Sequence, residues 1–207
     1  MYYKFLQKGL RSDYDHSPWI LGEWRTIEGE LGLCRNGFHC SKTFLDALRY
    51  IRGEVFAEVE VRGDSKEEGD KSVHREMRVV KAWEWTKEDS VALTVYAAEL
   101  VLPLFEQKHP GNTRPRKVIA LTKKWLQNHR SVSRMELQDA ANAANAEDAA
   151  YAANAAYVAA AVYADAVYTA VYAAAATAYI DTSAKVHFLE KINDFAMKII
   201  AEKTEIE

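Results

Sequence analysis

The segment from Cys34 to Cys40 holds the densest group of reactive side chains, with two thiols and the imidazole of His39 within seven residues. Cysteine and histidine bind zinc, but this spacing matches no common zinc finger and the segment lacks a second ligand pair. A histidine could also activate a thiol nucleophile, yet adjacent strand residues point to opposite faces, so His39 would not activate Cys40. We favour a structural interpretation, in which both cysteines face the core and His39 faces away from it.

A histidine that faces away from the core can line a cleft. Trp24, Glu58 and Glu60 lie in the same part of the chain and are candidates to line it with His39. The order of an opening strand, Gly-Phe-His-Cys-Ser, a helix and a Glu-Val-Glu-Val strand resembles a half domain of ADP-ribosyltransferases. That resemblance implies an enzyme that holds a nicotinamide dinucleotide near His39. Alternating glutamates are also typical of a solvent-exposed strand face, and we assign no catalytic residue and no metal site.

A second candidate site is a group of basic residues in the second half of the chain. Arginine can bind phosphate through two parallel hydrogen bonds, so a phosphate or nucleotide contact is one interpretation of this group. The other is a solvated helix face beside a buried stripe. The candidate contacts are Arg114, Arg116 and Lys117, and further basic residues follow at Lys123, Lys124, His129 and Arg130.

Tyrosines recur in an alanine-rich run between Met135 and Tyr179. At 100° per residue, most of them fall within about a third of a helix circumference. We favour a closely packed helical core with tyrosine hydroxyls at its edge. The alternative is a recognition face for a protein or a planar ligand, with Tyr157, Tyr168 and Tyr172 as candidate contacts. The alanine-rich helices could also pair two copies of the chain as a homo-oligomer.

Glycine and proline are confined to the first part of the chain. All nine glycines lie at or before Gly111, and no proline follows Pro115. Because these residues interrupt regular structure, the first part must turn often, whereas the rest meets no strong breaker. We therefore predict an α+β fold, with a small strand-rich N-terminal module at residues 1–85 followed by an all-helical Ala/Tyr-rich module at residues 86–207.

Alternation of apolar and polar residues predicts the strands. The clearest is Val55–Val61, with its valines on one face and its glutamates on the other, and Gly63 and Asp64 should end it. Further strands are predicted at residues 3–6, 24–27 and 71–85. A short helix at residues 43–51 should begin with Thr43 and Asp46 as a capping pair, and Gly53 should supply a left-handed residue after its end.

Helical periodicity predicts the remaining elements. A helix that opens at residues 86–89 should kink or end at Pro103. A helix at about residues 114–128 should bury Val118, Leu121 and Trp125. The alanine-rich run should break near Asn145 or form one long projecting helix. A last helix at about residues 184–202 should bury the stripe Phe188, Ile192, Phe195 and Ile199.

Composition and charge limit the function classes. With 49% hydrophobic and 28% charged residues, the chain is globular, and its net charge of −3 makes nucleic acid an unfavoured partner. The start lacks the features of a signal peptide. The run from Ala149 to Ile180 is the only candidate membrane span, and Asn154 and Asp165 argue against it. We expect a cytoplasmic protein with reduced thiols, no membrane partner and no cofactor.

Two segments resemble uncharacterised bacterial and phage proteins. One carries Tyr3–Leu6, Gly22–Trp24, the Cys-x4-His-Cys segment at residues 34–40 and residues 58–63. The other carries residues 113–119, Trp125 and residues 140–145, and it is similar to alanine-rich helical proteins labelled as immunity proteins. The resemblance implies a protein of bacterial or phage origin, but it brings no catalytic residues with it.

The sequence therefore leads to three functional hypotheses. The first is a non-catalytic binding protein, an immunity or anti-defence factor that neutralises a protein or sequesters a small ligand. The second is an ADP-ribosyltransferase-like enzyme with a cleft near His39. The third is a nucleotide-binding sponge that uses the basic helix and the tyrosines. A protein or a nucleotide-like small ligand is accordingly the expected partner.

Overall fold

The computed structural model describes residues 1–50, 53–145, 171 and 182–207. An antiparallel sheet comes first in the chain and helices follow it, so the α+β prediction is confirmed. Contacts group the described chain into two compact units. One comprises Met1–Thr86 with Met197–Glu207, and the other comprises Lys87–Ala196.

The first unit is built on a sheet of five strands in the described residues. They are β1 (Tyr2–Leu6), β2 (Arg25–Thr26), β3 (Phe38–Cys40), β4 (Val55–Glu68) and β5 (Lys71–Glu84). The strand order is β1-β4-β5-β2, and β3 also pairs with β5. Every pairing is antiparallel. Beyond β3, Ser41 exchanges two main-chain hydrogen bonds with Tyr3, at 2.8 and 3.0 Å, so the chain after β3 returns to β1.

The predicted end of the strand at Gly63 and Asp64 is wrong, because β4 runs on to Glu68. The pairing with β5 shifts register between Arg62 and Ser65, and Gly63 takes a left-handed conformation with φ of 76°. A bulge of this kind absorbs extra residues without ending the strand. The paired hairpin is therefore much longer than the apolar alternation alone suggested.

Helix α1 (Phe44–Tyr50) begins as the sequence predicts. The hydroxyl of Thr43 accepts a hydrogen bond from the Asp46 amide at 3.1 Å and donates one to the Asp46 carboxylate at 2.6 Å. The prediction for Gly53 is wrong, because its φ is not in the left-handed region. Glycine is needed there for space, since a Cβ atom would lie 2.3 Å from the carbonyl oxygen of Leu6.

Aromatic and aliphatic side chains bury the sheet. Phe5, Phe44, Phe56 and Trp85 form one cluster, with ring centroids 4.7–6.3 Å apart. A second buried cluster packs around Leu6, Val59, Met77 and Val79, together with Phe38 and Cys40 of β3. These clusters hold the short strand β3, and with it His39, in a fixed place.

The second unit is helical. Its described helices are α2 (Lys87–Lys108), α3 (Arg114–Gln127), α4 (Arg134–Asn145) and the greater part of α5 (Thr182–Ala201). A capping pair begins α4: the Glu136 carboxylate accepts from the Ser133 amide and hydroxyl, both at 2.8 Å. None of the described helices has the length and apolar character to cross a membrane.

The helix predictions hold in part. Helix α2 continues through Pro103 to Lys108, so it does not end at the proline, and Pro103 is exposed while Val101, Leu102 and Phe105 around it are buried. The buried stripe of α3 is centred on Val118, Ile119 and Thr122, whereas Leu121 and Trp125 are half-buried. In α5 the fully buried stripe is Phe188, Ile192, Ala196 and Ile200, and Phe195 and Ile199 are half-buried.

Most of the alanine–tyrosine tract lies outside the described residues. Helix α4 covers its first part to Asn145, and Val171 is buried. The predicted break near Asn145 and the tyrosine row stay predictions.

Candidate functional site

Two ion pairs join α2 to α3 and frame a groove between the helices. Arg116 binds Glu106 through two hydrogen bonds of 2.7 Å, and Lys123 binds Glu99 at 2.8 Å. The two cations are seven residues apart on α3, and the two carboxylates are seven residues apart on α2. Glu99, the earlier carboxylate on α2, pairs with Lys123, the later cation on α3, so the two helices run antiparallel. Seven residues of helix place the two ion pairs about 10 Å apart along the axis. We call this arrangement the ladder groove.

The ladder groove has a volume of about 360 Å³ and is open to solvent on one side. On α3, its lining residues recur at intervals of three and four, which places them on one helix face. The lining is Glu99 and Leu102 from α2 and Arg116, Ile119, Ala120, Lys123, Lys124 and Gln127 from α3. Apolar groups thus lie between two ion pairs, with additional polar groups at the rim.

The ion pairs fix the charge state of the groove. The Arg116 hydrogen bonds lower the pKa of the Glu106 carboxyl, and the Glu106 carboxylate raises the pKa of the Arg116 guanidinium. Both side chains stay charged throughout the physiological range. Lys124 acts on Glu136 instead: hydrogen bonds from Ser133 lower the pKa of that carboxyl, and the Lys124 charge lowers it further.

The predicted basic site is only partly assembled. Arg116 lines the ladder groove, and Lys123 and Lys124 join it. Arg114 and Lys117 are exposed at the start of α3, outside the lining. Tyr157, Tyr168 and Tyr172 lie outside the described residues. The acidic side of the site, Glu99 and Glu106, was not predicted, although its spacing of seven matches that of Arg116 and Lys123.

His39 on β3 has a structural partner. Its Nε2 atom accepts a hydrogen bond from the main-chain amide of Cys34 at 2.8 Å. Burial lowers the pKa of His39, and the nearby Lys4 ammonium lowers it further. A neutral imidazole that accepts at Nε2 carries its proton on Nδ1. His39 therefore holds the turn at residues 32–36 against β3.

The expectation for the two cysteines is half wrong. Cys40 on β3 is buried, and burial raises the pKa of its thiol to about 11. Cys34 is exposed, since it lies in the turn before β3 with φ of 58°, where strand parity does not apply. The Lys71 ammonium donates to the Cys34 sulfur at 3.3 Å.

No group of three or more potential metal ligands occurs among the residues that the structure describes.

Trp24 directly precedes β2, and Glu58 and Glu60 lie on β4. The guanidinium groups of Arg62 and Arg78 lie 4.0 and 4.9 Å from the centre of the Trp24 ring. Arg78 also pairs with Glu60 at 2.6 Å, so Trp24 and Glu60 share a neighbour.

Glu58 lies opposite Lys81 in the β4–β5 pairing. Burial raises the pKa of Tyr3 on β1, and the Glu58 charge raises it further. Glu58 and Glu60 are therefore part of a charged sheet face on which acidic and basic side chains alternate across the strands.

A buried lysine was missed by the sequence interpretation. Lys4 on β1 is 8% exposed and donates to the main-chain carbonyl of His39 at 3.0 Å. Burial lowers its pKa from the ordinary 10.5 to about 8. Lys4 stands inside the otherwise apolar run Tyr3–Leu6. This position is a weak signal of burial, because a charged residue inside an apolar strand needs a partner.

Comparison with known proteins adds one family match. No curated protein and no solved structure matches the chain. Residues 1–89, which contain the whole β1–β5 sheet, match a domain of unknown function (DUF7666).

Proposed function

We propose that the chain is a non-catalytic binding protein that sequesters a small ligand in the ladder groove. The observation that carries the proposal is the groove itself, about 360 Å³ with apolar side chains between two ion pairs. Ligand sites in proteins commonly have volumes of about 300–1,000 Å³, and this groove lies at the lower end of that range.

The partners of the candidate reactive residues support binding without catalysis. Glu60 is paired with Arg78, and the Nε2 atom of His39 is occupied by the Cys34 amide. A general base needs a free acceptor within reach of the proton that it removes. A neutral His39 has one acceptor nitrogen and already uses it inside the protein, so it is poorly placed for such a step, and Glu60 is held by Arg78 through Oε2.

The biological setting rests on the sequence resemblance alone. The Cys-x4-His-Cys segment and the residues around Trp125 resemble bacterial and phage proteins, some of them labelled as immunity proteins. We accordingly propose an immunity or anti-defence factor of bacterial or phage origin. Sequestration of a small signal or toxin would suit that role, and neutralisation of a protein partner is the other form it could take.

A substitution that fills the groove tests the proposal. Purified chain is screened by thermal shift against nucleotides, nicotinamide dinucleotide and aromatic acids, since a ligand of the native state raises the Tm. We expect at least one compound to raise the Tm and to be recovered intact by mass spectrometry. Ala120→Trp should abolish the shift. Ala201→Trp, at an exposed alanine at the end of α5, is the matched control and should leave it unchanged.

Two results would contradict the proposal. Ligand consumption that His39→Ala abolishes would mean an enzyme and would favour the ADP-ribosyltransferase hypothesis. A ligand-induced shift that persists in Ala120→Trp would place the binding site elsewhere. Either outcome is interpretable only if both tryptophan variants keep the circular dichroism spectrum of the unchanged chain.

A further inference from the structure

The edge of β5 that faces away from β4 is covered by several separate segments of the chain. β3 pairs with the beginning of β5 and β2 with its middle. Further along, the amide of Gly22 donates to the carbonyl of Val79 at 2.8 Å. The last cover is residues 204–207, which we call the C-terminal tail, where the amide of Ile206 donates to the carbonyl of Ala82 at 2.8 Å. The far end of this edge is therefore covered by a segment that is distant in the chain.

Few contacts hold the C-terminal tail. Ile206 is half-buried and packs against the second buried cluster of the sheet, whereas its neighbours Glu205 and Glu207 are exposed. The bond from Ile206 to Ala82 is the one main-chain hydrogen bond between the tail and β5 in the parts of the chain that the structure describes. Because local opening costs least where few contacts are lost, such a segment can leave and return while the sheet stays folded.

The β5 edge offers more than the tail takes from it. Ala82 is completely buried, so its carbonyl costs free energy whenever it has no partner. In an antiparallel strand the amide and the carbonyl of one residue point to the same side, so the Ala82 amide faces this edge together with the carbonyl that binds Ile206. A fully extended segment can bond to both groups and bury an aliphatic side chain at the place where Ile206 packs.

We propose that the β5 edge at Ala82 is a strand-addition site, at which an extended peptide segment of another protein replaces the C-terminal tail. In this mode of recognition, main-chain hydrogen bonds supply affinity and the pockets for alternate side chains supply specificity. The segment must carry an aliphatic side chain at the place of Ile206, and the tail is an internal ligand that covers the site until the partner arrives. This inference goes beyond the proposed function, since it concerns a peptide on the sheet and not a small ligand in the ladder groove.

A synthetic copy of the tail tests the site. The peptide has the sequence of residues 202–207 with a photoreactive leucine in place of Ile206, and its adducts on the chain are mapped by mass spectrometry after illumination. In the unchanged chain the internal tail competes at an effective concentration of about millimolar, as expected for a short connection. Ile206→Asp should release the tail, so we expect at least about tenfold more labelling of β5 in this variant than in the unchanged chain.

A second variant separates release of the tail from damage to the fold. Ile206→Pro removes the amide that bonds to Ala82 but keeps an apolar side chain, and it should also raise the labelling of β5. The control is Glu205→Gln, at an exposed position of the tail, which should be labelled like the unchanged chain. A peptide whose photoreactive residue is exchanged with the preceding glutamate should not label β5, because a slip of one residue turns the side chain to the opposite face.

Hydrogen exchange of the unchanged chain tests the same inference without a variant. The Ile206 amide should exchange faster than the amides paired between β4 and β5, because the tail opens while the sheet stays folded. Exchange as slow as in those strands would overturn the inference. Equal labelling of the unchanged chain and the two released-tail variants, or adducts that lie away from β5 and the cluster beneath it, would do the same. The proposed function fails separately, through ligand turnover or through binding that survives Ala120→Trp.

Discussion

The ammonium group of Lys4 on β1 donates a hydrogen bond of 3.0 Å to the main-chain carbonyl oxygen of His39 on β3. Lys4 is 8% exposed, so its charge is removed from water in exchange for this bond and for more distant electrostatic neighbours. The Asp13 and Asp15 carboxylates favour the charged form, and the Arg25 guanidinium opposes it. Burial outweighs the favourable contributions and lowers the pKa of Lys4 to about 8.

Lys4→Met should change the pH dependence of stability. The folded-state pKa of Lys4, about 8, lies below its ordinary value of 10.5, so the native state loses this proton first as the pH rises. Between these values the unfolded state binds more protons, and the stability of the unchanged chain should rise with pH. The cost below pH 8 is about 3 kcal/mol, and Lys4→Met should remove it.

Urea unfolding of both proteins at several pH values measures this effect. The free energy of unfolding of Lys4→Met relative to the unchanged chain should be most favourable below pH 8 and should fall steadily towards pH 10.5. Taking the difference between the two proteins cancels the tyrosine and cysteine groups that titrate in the same range. A difference that does not vary with pH would show that Lys4 keeps its ordinary pKa.

The two cysteines should differ sharply in reactivity. Cys34 is exposed, whereas Cys40 is buried with a pKa raised to about 11. Because the thiolate is the reactive form, an aromatic disulfide reagent at neutral pH should modify one thiol of the folded chain quickly and the second only after unfolding. Cys34→Ser should remove the fast phase, and Cys40→Ser should keep it. Two fast thiols in the folded chain would contradict the buried position of Cys40.

Secondary structure could be predicted from the sequence where it depends on contacts between residues that are close together in the chain. Thr43 and Asp46 cap α1 because their contact spans a single turn, and Val55–Val61 form a strand because the alternation lies in neighbouring residues. Such local patterns were sufficient for the α+β class. They misplace the end of β4, because the pairing with β5 carries the strand past Gly63 through a bulge.

The candidate site depends on contacts between distant residues. Glu99 and Lys123 are separated by 24 positions, and only the packing of α2 against α3 brings them together. The basic half of the site was visible as a cluster, but the exposed residues Arg114 and Lys117 looked the same as Arg116 in the sequence. In the structure, Arg116 differs from Arg114 and Lys117 because it lies on the groove face of α3 and binds an acidic partner, Glu106, on α2.

Gly53→Ala should be strongly destabilising for a steric reason. A Cβ atom at Gly53 would lie 2.3 Å from the carbonyl oxygen of Leu6 and 2.9 Å from its carbonyl carbon, so the main chain of β1 or the loop must move. The control is Gly69→Ala, where φ is 61° but no atom lies within 4 Å of the added methyl group. Backbone strain at Gly69 should cost about 1–2 kcal/mol.

Thermal or urea unfolding of the two alanine variants distinguishes the two effects. We expect the free energy of unfolding to fall further for Gly53→Ala than for Gly69→Ala. Equal losses would mean that conformational freedom, rather than space next to Leu6, is what Gly53 provides.

Pro103→Ala should stabilise α2. Proline lacks the amide hydrogen that would bond to the carbonyl of Glu99, and in a helix interior it costs about 3 kcal/mol relative to alanine. Because α2 already continues through Pro103 and the ring is exposed, the substitution removes little packing. We expect a gain of about 1–3 kcal/mol in the free energy of unfolding.

The same variant probes the ladder groove, since Glu99 and Leu102 lie in the turn that precedes Pro103. We expect Pro103→Ala to lower the affinity for the ligand found by the thermal-shift screen while it raises stability, because the restored hydrogen bond makes this turn less adjustable. Thermal shift with that ligand and without it measures both quantities. Lys87→Ala, at an exposed position at the start of α2, is the control and should alter neither quantity appreciably. A loss of stability in Pro103→Ala would mean that the proline ring contributes packing that outweighs the restored hydrogen bond.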